Sequence, residues 1–101
     1  MSRAEIDVLA ERQRQIHAEG FDEAHDERNA DGELADAAAC YAMDPEFRSY
    51  VDASGNTILD LIWPWDAKWW KPKDRRRNLV RAAALIIAEI DRMDREEGST
   101  P

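Results

Sequence analysis

The sequence predicts an all-α fold: a small bundle of three main helices joined by a Trp/Pro-rich irregular connection. Helix-start signals recur along the chain, at Ser2-Arg3-Ala4-Glu5, Asp44-Pro45-Glu46 and Asp74. Apolar residues return at three- and four-residue spacing near the N-terminus and over 74–96. The one extended-looking stretch, Thr57 to Trp65, has no second strand to pair with.

The first helix is expected to end near residue 19. Ser2 caps it, Glu5 completes a capping box, and Gly20 follows as a C′ glycine. Ile6, Leu9 and Ile16 fall on one face and are expected to point inward. Residues 21–31 are dominated by charge around Phe21 and are expected to form an ordered loop or loose turn. Asp31 is the expected cap of a second helix, roughly 32–43, with Leu34, Ala37, Ala38 and Tyr41 inward. Its alanines imply close helix approach. Asp44 then Pro45 start a short helix or turn over 45–51, and Ser54-Gly55-Asn56 is a turn. A single helical turn at 58–62 is expected within the irregular connection. Asp74 caps the strongest element, about 74–96, with Leu79, Ala82, Ala83, Ile86, Ile90 and Met93 as its inward face. A frayed tail is expected over 97–101.

The 101 residues fit one domain, and a chain this short must use nearly every apolar stripe. The net charge of −8 argues against direct nucleic-acid or acidic-membrane binding, which needs a basic footprint. It permits a nucleic-acid mimic or a basic protein partner. Cys40 is alone in an alanine-rich stretch, so no intrachain disulfide forms and a small buried residue is expected. No apolar run approaches the ~20 residues of a membrane span. With a charged N-terminus lacking a secretory h-region, a cytoplasmic location is expected.

All four tryptophans fall within the eight residues Trp63-Pro64-Trp65-Asp66-Ala67-Lys68-Trp69-Trp70. Trp63 and Trp65 flank a proline and follow an apolar run, so a mainly structural role is expected for them. Lys68, Lys71, Lys73, Arg75, Arg76 and Arg77 gather around Trp69 and Trp70. The arginines sit at a helix start, where free amides and the dipole favour an anion. Arginine takes phosphate bidentately and tryptophan stacks on a base. Trp69, Trp70, Lys71, Arg75, Arg76 and His25 are therefore the candidate ligand-binding residues. The bland alternative is tryptophans packed on the helices beneath solvated cations.

A second cluster is polar: Arg12, Gln15, Glu19, Asp26 and Glu33. Arg12, Gln15 and Glu19 share a helical face at spacings of three and four. They form either a polar pocket against the 21–31 loop or, as the favoured reading, an ion-pair network that fixes that loop. His25-Asp26 with Glu33 offers a general base or metal pair, but adjacent side chains diverge and a metal needs three or four ligands. No metal and no cofactor are predicted.

The blocks Glu11-Arg12-Gln13-Arg14-Gln15, Glu19-Gly20-Phe21, His25-Asp26, Gly32-Glu33-Leu34-Ala35, Ala37-Ala38-Ala39-Cys40-Tyr41-Ala42, Trp63-Pro64-Trp65, Trp69-Trp70-Lys71-Pro72, Arg75-Arg76-Arg77 and Ala84-Leu85-Ile86-Ile87-Ala88-Glu89-Ile90 run through nearly the whole chain. Together they resemble a family of small tailed-phage and prophage proteins, and the C-terminal part of some Ea22-like phage early-region proteins. The resemblance implies a phage origin and an accessory role. It carries over no catalytic residues. All-α nucleotide pyrophosphohydrolases of the MazG type are similar in size and helical content. Their magnesium motifs match only in part here: Glu33 is followed at +3 by Asp36, but Glu89 is followed at +3 by Arg92.

The leading functional expectation is a phage accessory protein, in a counter-defence role, that binds or sequesters a nucleotide-like or phosphorylated ligand. The second is an acidic protein–protein inhibitor of a host defence or nucleic-acid-binding protein. The third is a small nucleotide hydrolase using His25, Asp26 and Glu33. A homodimer is a further candidate state, given the alanine-rich helices and aromatic surface.

Overall fold

A computed structural model describes residues 1–98. Six α-helices follow in chain order: α1 (Arg3–Ala18), α2 (Glu23–Glu27), α3 (Glu33–Ala42), α4 (Pro45–Arg48), α5 (Ile58–Ile62) and α6 (Arg75–Gly98). A single 3-10 turn, Ala67–Trp69, lies in the tryptophan segment. The fold is all-α, and the only β feature among the described residues is an isolated antiparallel bridge between Val51 and Thr57. The helices are long enough for three of them to carry the bundle, α1 and α3 both packing along α6. The part of the expected frayed tail beyond Gly98 lies outside the described residues.

Local signals place most of the boundaries. Ser2 and Glu5 form the capping box, and Gly20 adopts φ +72° just past the end of α1, a left-handed conformation that favours glycine. Asp44 accepts from the Glu46 amide with Pro45 in the first turn. Thr57 and Asp60 form a second capping box that starts α5. Asp74 accepts from the Arg77 amide at the head of α6.

Two local expectations are corrected. Residues 21–31 contain the short helix α2, whose first turn is fixed by the Asp22 carboxylate accepting from the His25 amide. The cap of α3 is Gly32 at φ +92°, with no side-chain cap. Asp31 instead donates its amide to the Glu33 carboxylate at 2.7 Å.

The core lies between α3 and α6. Leu34, Ala37, Ala38 and Tyr41 from α3 meet Ala82, Leu85 and Ala88 from α6. Alanines on both helices let the axes approach, so little side-chain volume fills the seam. Cys40 is buried beside them, and burial together with Asp36 pushes its thiol up to about 11 despite the opposing charge of Arg48. Phe21, Trp63, Trp65 and Trp70 close the open side of this core.

The inward faces of two helices differ from expectation. In α6 the buried residues are Asn78, Val80, Ala82, Ala84, Leu85, Ala88 and Arg92. Leu79, Ile86, Ile90 and Met93 are exposed, and Ala83 is half-buried. In α1, Ile6 and Leu9 are exposed while Glu11, Arg12 and Gln15 are buried. The reason is a set of ionic contacts, described below, that reward turning the polar face inward.

Trp63 ties this arrangement together, as the structural role expected for it requires. Its ring packs edge-on against Tyr41, Trp65 and Trp70 at centroid distances of 5.7, 5.4 and 5.0 Å. Trp63→Ala is expected to destabilise the protein by about 3 kcal/mol, the lower end for a large aromatic because the residue is half-buried. Chemical denaturation checks this, and an unchanged midpoint would contradict it.

Candidate functional site: an aromatic cavity with a polar floor

Charge burial organises the site. Glu11, on α1, is 1 % exposed. Its carboxylate receives Arg14 from one turn ahead at 2.7 and 2.8 Å, Arg77 from α6, and Arg81 from α6 at 3.9 Å. Burial pushes the Glu11 carboxyl up, but the three guanidiniums outweigh it and hold the group below its ordinary 4.5. Arg12, the next residue, reaches the other way. It donates to the buried Asp26 carboxylate at 2.8 Å and to the Phe21 carbonyl at 3.2 Å. This pair fastens α2 and its flanking loop to α1, as the ion-pair reading of the polar cluster expects.

One turn beyond Glu11, Gln15 enters the interior at 1 % exposure. Its amide nitrogen donates weakly to Glu11 and to the Arg81 carbonyl, both at 3.4 Å. Its Oε1 has no protein partner, whereas the buried Nε of Arg81 makes no hydrogen bond but lies 3.9 Å from the Glu11 carboxylate, its ionic partner. A buried polar atom without a partner is costly, so Gln15 Oε1 marks a place where a donor belongs. The other end of Arg81 is fixed: Nη1 donates to the Lys71 carbonyl at 2.7 Å, and the guanidinium lies over the Tyr41 ring.

Both residues line a cavity of about 670 Å³. Its walls are aromatic: Phe21, His25, Tyr41, Trp63, Trp65 and Trp69, with Leu85 behind. Each ring is set by a separate device. His25 stacks on Phe21 at 4.2 Å with the planes 7° apart, and, contrary to the divergence expected of adjacent side chains, its Nδ1 pairs with Asp26 at 3.0 Å. Trp65 donates its indole N–H to the Asn29 side chain at 2.9 Å, and Asn29 in turn donates to the His25 carbonyl. The 3-10 turn, capped by Asp66, leaves Trp69 56 % exposed at the rim. Lys68 and Lys71 sit over its ring at 5.3 and 5.6 Å. The volume and the mix of apolar wall with few polar groups fall in the range of small-ligand sites.

Of the residues singled out from sequence, His25, Trp69, Lys71, Gln15 and Glu19 line this cavity. Trp70 lies behind the wall, packed on Tyr41 at 4.6 Å and under Arg48. The arginine triplet is dispersed. Arg75 donates to the carbonyls of Ala42 and Met43 at the end of α3, at 2.7 and 2.9 Å. There its charge meets the negative end of that helix. Arg76 pairs with Asp7 at 2.8 Å, and Arg77 with Glu11. The Asp74 carboxylate holds the Arg77 amide at the start of α6. Arg12 and Asp26 are the buried clamp, and Glu33 accepts from the Asp31 amide. Among the described residues no three His, Cys, Asp or Glu side chains converge as a metal site.

Sequence reasoning missed Arg81, Tyr41, Phe21 and the inward lean of Trp63 and Trp65 as cavity residues. Arg81 carried a readable signal: it is the one cation in the otherwise apolar run from Leu79 to Ala88. A charge there needs a buried partner or a ligand.

Because the Glu11 carboxyl is held low in the folded state, its stabilisation is complete at neutral pH. It is lost as the pH falls below 4.5 and through the lowered value. Glu11→Gln is expected to cost about 3 kcal/mol at pH 7, since Arg81 then loses its buried counter-charge. The same variant is expected to flatten the acid limb of the stability curve. Urea midpoints from pH 3 to 7 check both; parallel curves for the two proteins would contradict the assignment.

No protein-family model, curated protein or solved structure matches this chain. None of its helices among the described residues is long and apolar enough to cross a membrane.

Proposed function

We propose that the protein binds a small planar ligand of the nucleobase or nucleotide class in the aromatic cavity, acting by capture rather than catalysis. The observation that carries this reading is Gln15 Oε1, an acceptor that is buried and unpartnered, on a residue that lines the aromatic chamber beside the cation Arg81. Such an acceptor complements an N–H donor on the edge of a nucleobase or of a ring amide. The tryptophan and tyrosine rings supply stacking surfaces, each worth about 1–3 kcal/mol per base. Lys71 and Lys68 at the rim supply positive charge for a phosphate outside the chamber.

This supports binding over the hydrolase alternative. Of His25, Asp26 and Glu33 only His25 lines the cavity, while Asp26 is engaged by Arg12 and Glu33 by the Asp31 amide, so the three do not converge there as a catalytic set. In the phage setting that the sequence resemblance implies, sequestering a host signalling nucleotide is the use we assign to such a chamber.

Calorimetry and tryptophan fluorescence against nucleosides, nucleotides and cyclic nucleotides test the reading. Binding by at least one class is expected, with quenching because three tryptophans line the site. Gln15→Leu is expected to weaken that binding about tenfold, the value of one buried hydrogen bond. Trp69→Ala is expected to weaken it by a similar factor while leaving the unfolding midpoint in place, because its ring is exposed. Absence of binding across the panel, or full affinity in Gln15→Leu, would overturn the proposal.

A further inference from the structure

The outward face of α6 carries a pattern that its own fold does not use. Arg77 and Arg81 turn toward α1, and Ala82, Leu85 and Ala88 turn toward α3. Between these contacts lies a third face: Leu79, Ala83, Ile86, Ile90 and Met93, spaced by four, three, four and three residues. Ile86, Ile90 and Met93 are 45, 51 and 54 % exposed, although each is a large apolar side chain. Unbroken three–four spacing over this length is the seam of a two-helix coiled coil. Among the described residues no helix covers this face: α1, α2 and α3 pack on α6 and leave it exposed.

The charges bracketing the seam say what does. The approach to and head of α6 are basic on balance, Lys73, Arg75 and Arg76 outnumbering Asp74. Its last turns are acidic on balance, Glu89, Asp91, Asp94, Glu96 and Glu97 outnumbering Arg92 and Arg95. Arg76 already pairs with Asp7, but Arg75 is bound only to neutral carbonyls and keeps its full charge. Two copies running antiparallel about Ile86 place each basic head beside the other copy's acidic tail. Leu79 of one copy then meets Met93 of the other, and Ile86 meets Ile86. Head and tail lie about 30 Å apart along the helix, several Debye lengths, so a parallel pair would bring like charges together with no relief. The face is thus complementary to itself in one orientation, the condition for a two-fold interface.

We infer that the exposed Leu79–Met93 face of α6 is a homodimer interface in which two copies of this chain pair antiparallel. The interface is separate from the cavity and stands whether or not a nucleotide binds there.

Sedimentation equilibrium of the full chain gives the first test. A species of twice 11.6 kDa is expected for the native protein, and a species of 11.6 kDa for Ile86→Glu. Ile90→Glu is the second variant; both positions are half exposed, so helix content should persist by circular dichroism. Raised salt is expected to weaken the native dimer, because the bracketing charges are at the surface. Orientation is read by mixing Leu79→Cys with Met93→Cys. The mixed disulfide is expected to form, and neither variant should cross-link to itself, since like positions sit about 21 Å apart in the antiparallel pair. A native monomer at all concentrations, a dimer that survives both glutamate variants, or self-cross-linking of Leu79→Cys would each overturn the inference. A monomer that captures some other protein on this face would overturn it as well.

Discussion

Everything in this fold leans on one buried carboxylate. Glu11 has no solvent of its own and is surrounded by Arg14, Arg77 and Arg81. Removing a carboxylate from water costs several kcal/mol, and only close counter-charges offset that. Once the offset exists it is directional. Arg77 and Arg81 lie one turn apart on α6, so they accept α1 in a single register. A purely apolar contact between two alanine-rich helices would tolerate sliding; this ionic one does not.

That register builds the chamber. Gln15 is one turn from Glu11 and is carried inward with it, to lie against the Arg81 backbone. Arg12, beside Glu11, carries Asp26 and the Phe21 carbonyl, and so places Phe21 and His25 on the chamber wall. The opposite wall comes from the tryptophan segment, where Pro64 and the 3-10 turn prevent a helix that would swing the rings apart. Trp63 and Trp65 serve both as lid of the α3–α6 core and as lining of the chamber. Packing and recognition therefore share the same rings, which leaves little freedom to change one without the other.

The sequence was legible in most places where the controlling physics is local, the Asp22 and Gly32 caps excepted. The capping box at Ser2, the Asp74 cap, Pro45 and the Gly20 stop each act within four residues, and each was read from neighbouring letters. The α3 core face was also readable, because its inward residues are all apolar. The faces of α1 and α6 were not. Apolar periodicity assigns Ile6, Leu9, Leu79, Ile86 and Ile90 inward, yet the inward positions of α1 are Glu11, Arg12 and Gln15. The α6 partners of Glu11 and Gln15 lie 66 residues away, a distance no local pattern spans. The basic run at 71–77 shows the same limit. Its arginines look like an anion trap in the sequence, but the structure gives each a protein acceptor drawn from α1 or α3. The short helix α2 escaped notice because it carries no apolar stripe, only the Asp22 cap.

The most direct measurement is a double-mutant cycle between Glu11 and Arg77, using Glu11→Gln, Arg77→Gln and the double variant, read as unfolding free energies at pH 7. If the polar face of α1 is what docks on α6, the two positions are coupled by about 1 kcal/mol or more, within the range for contacting groups. Additive effects, with no coupling, would mean that α1 packs through another face, and would remove the floor from the chamber along with the seam that positions it.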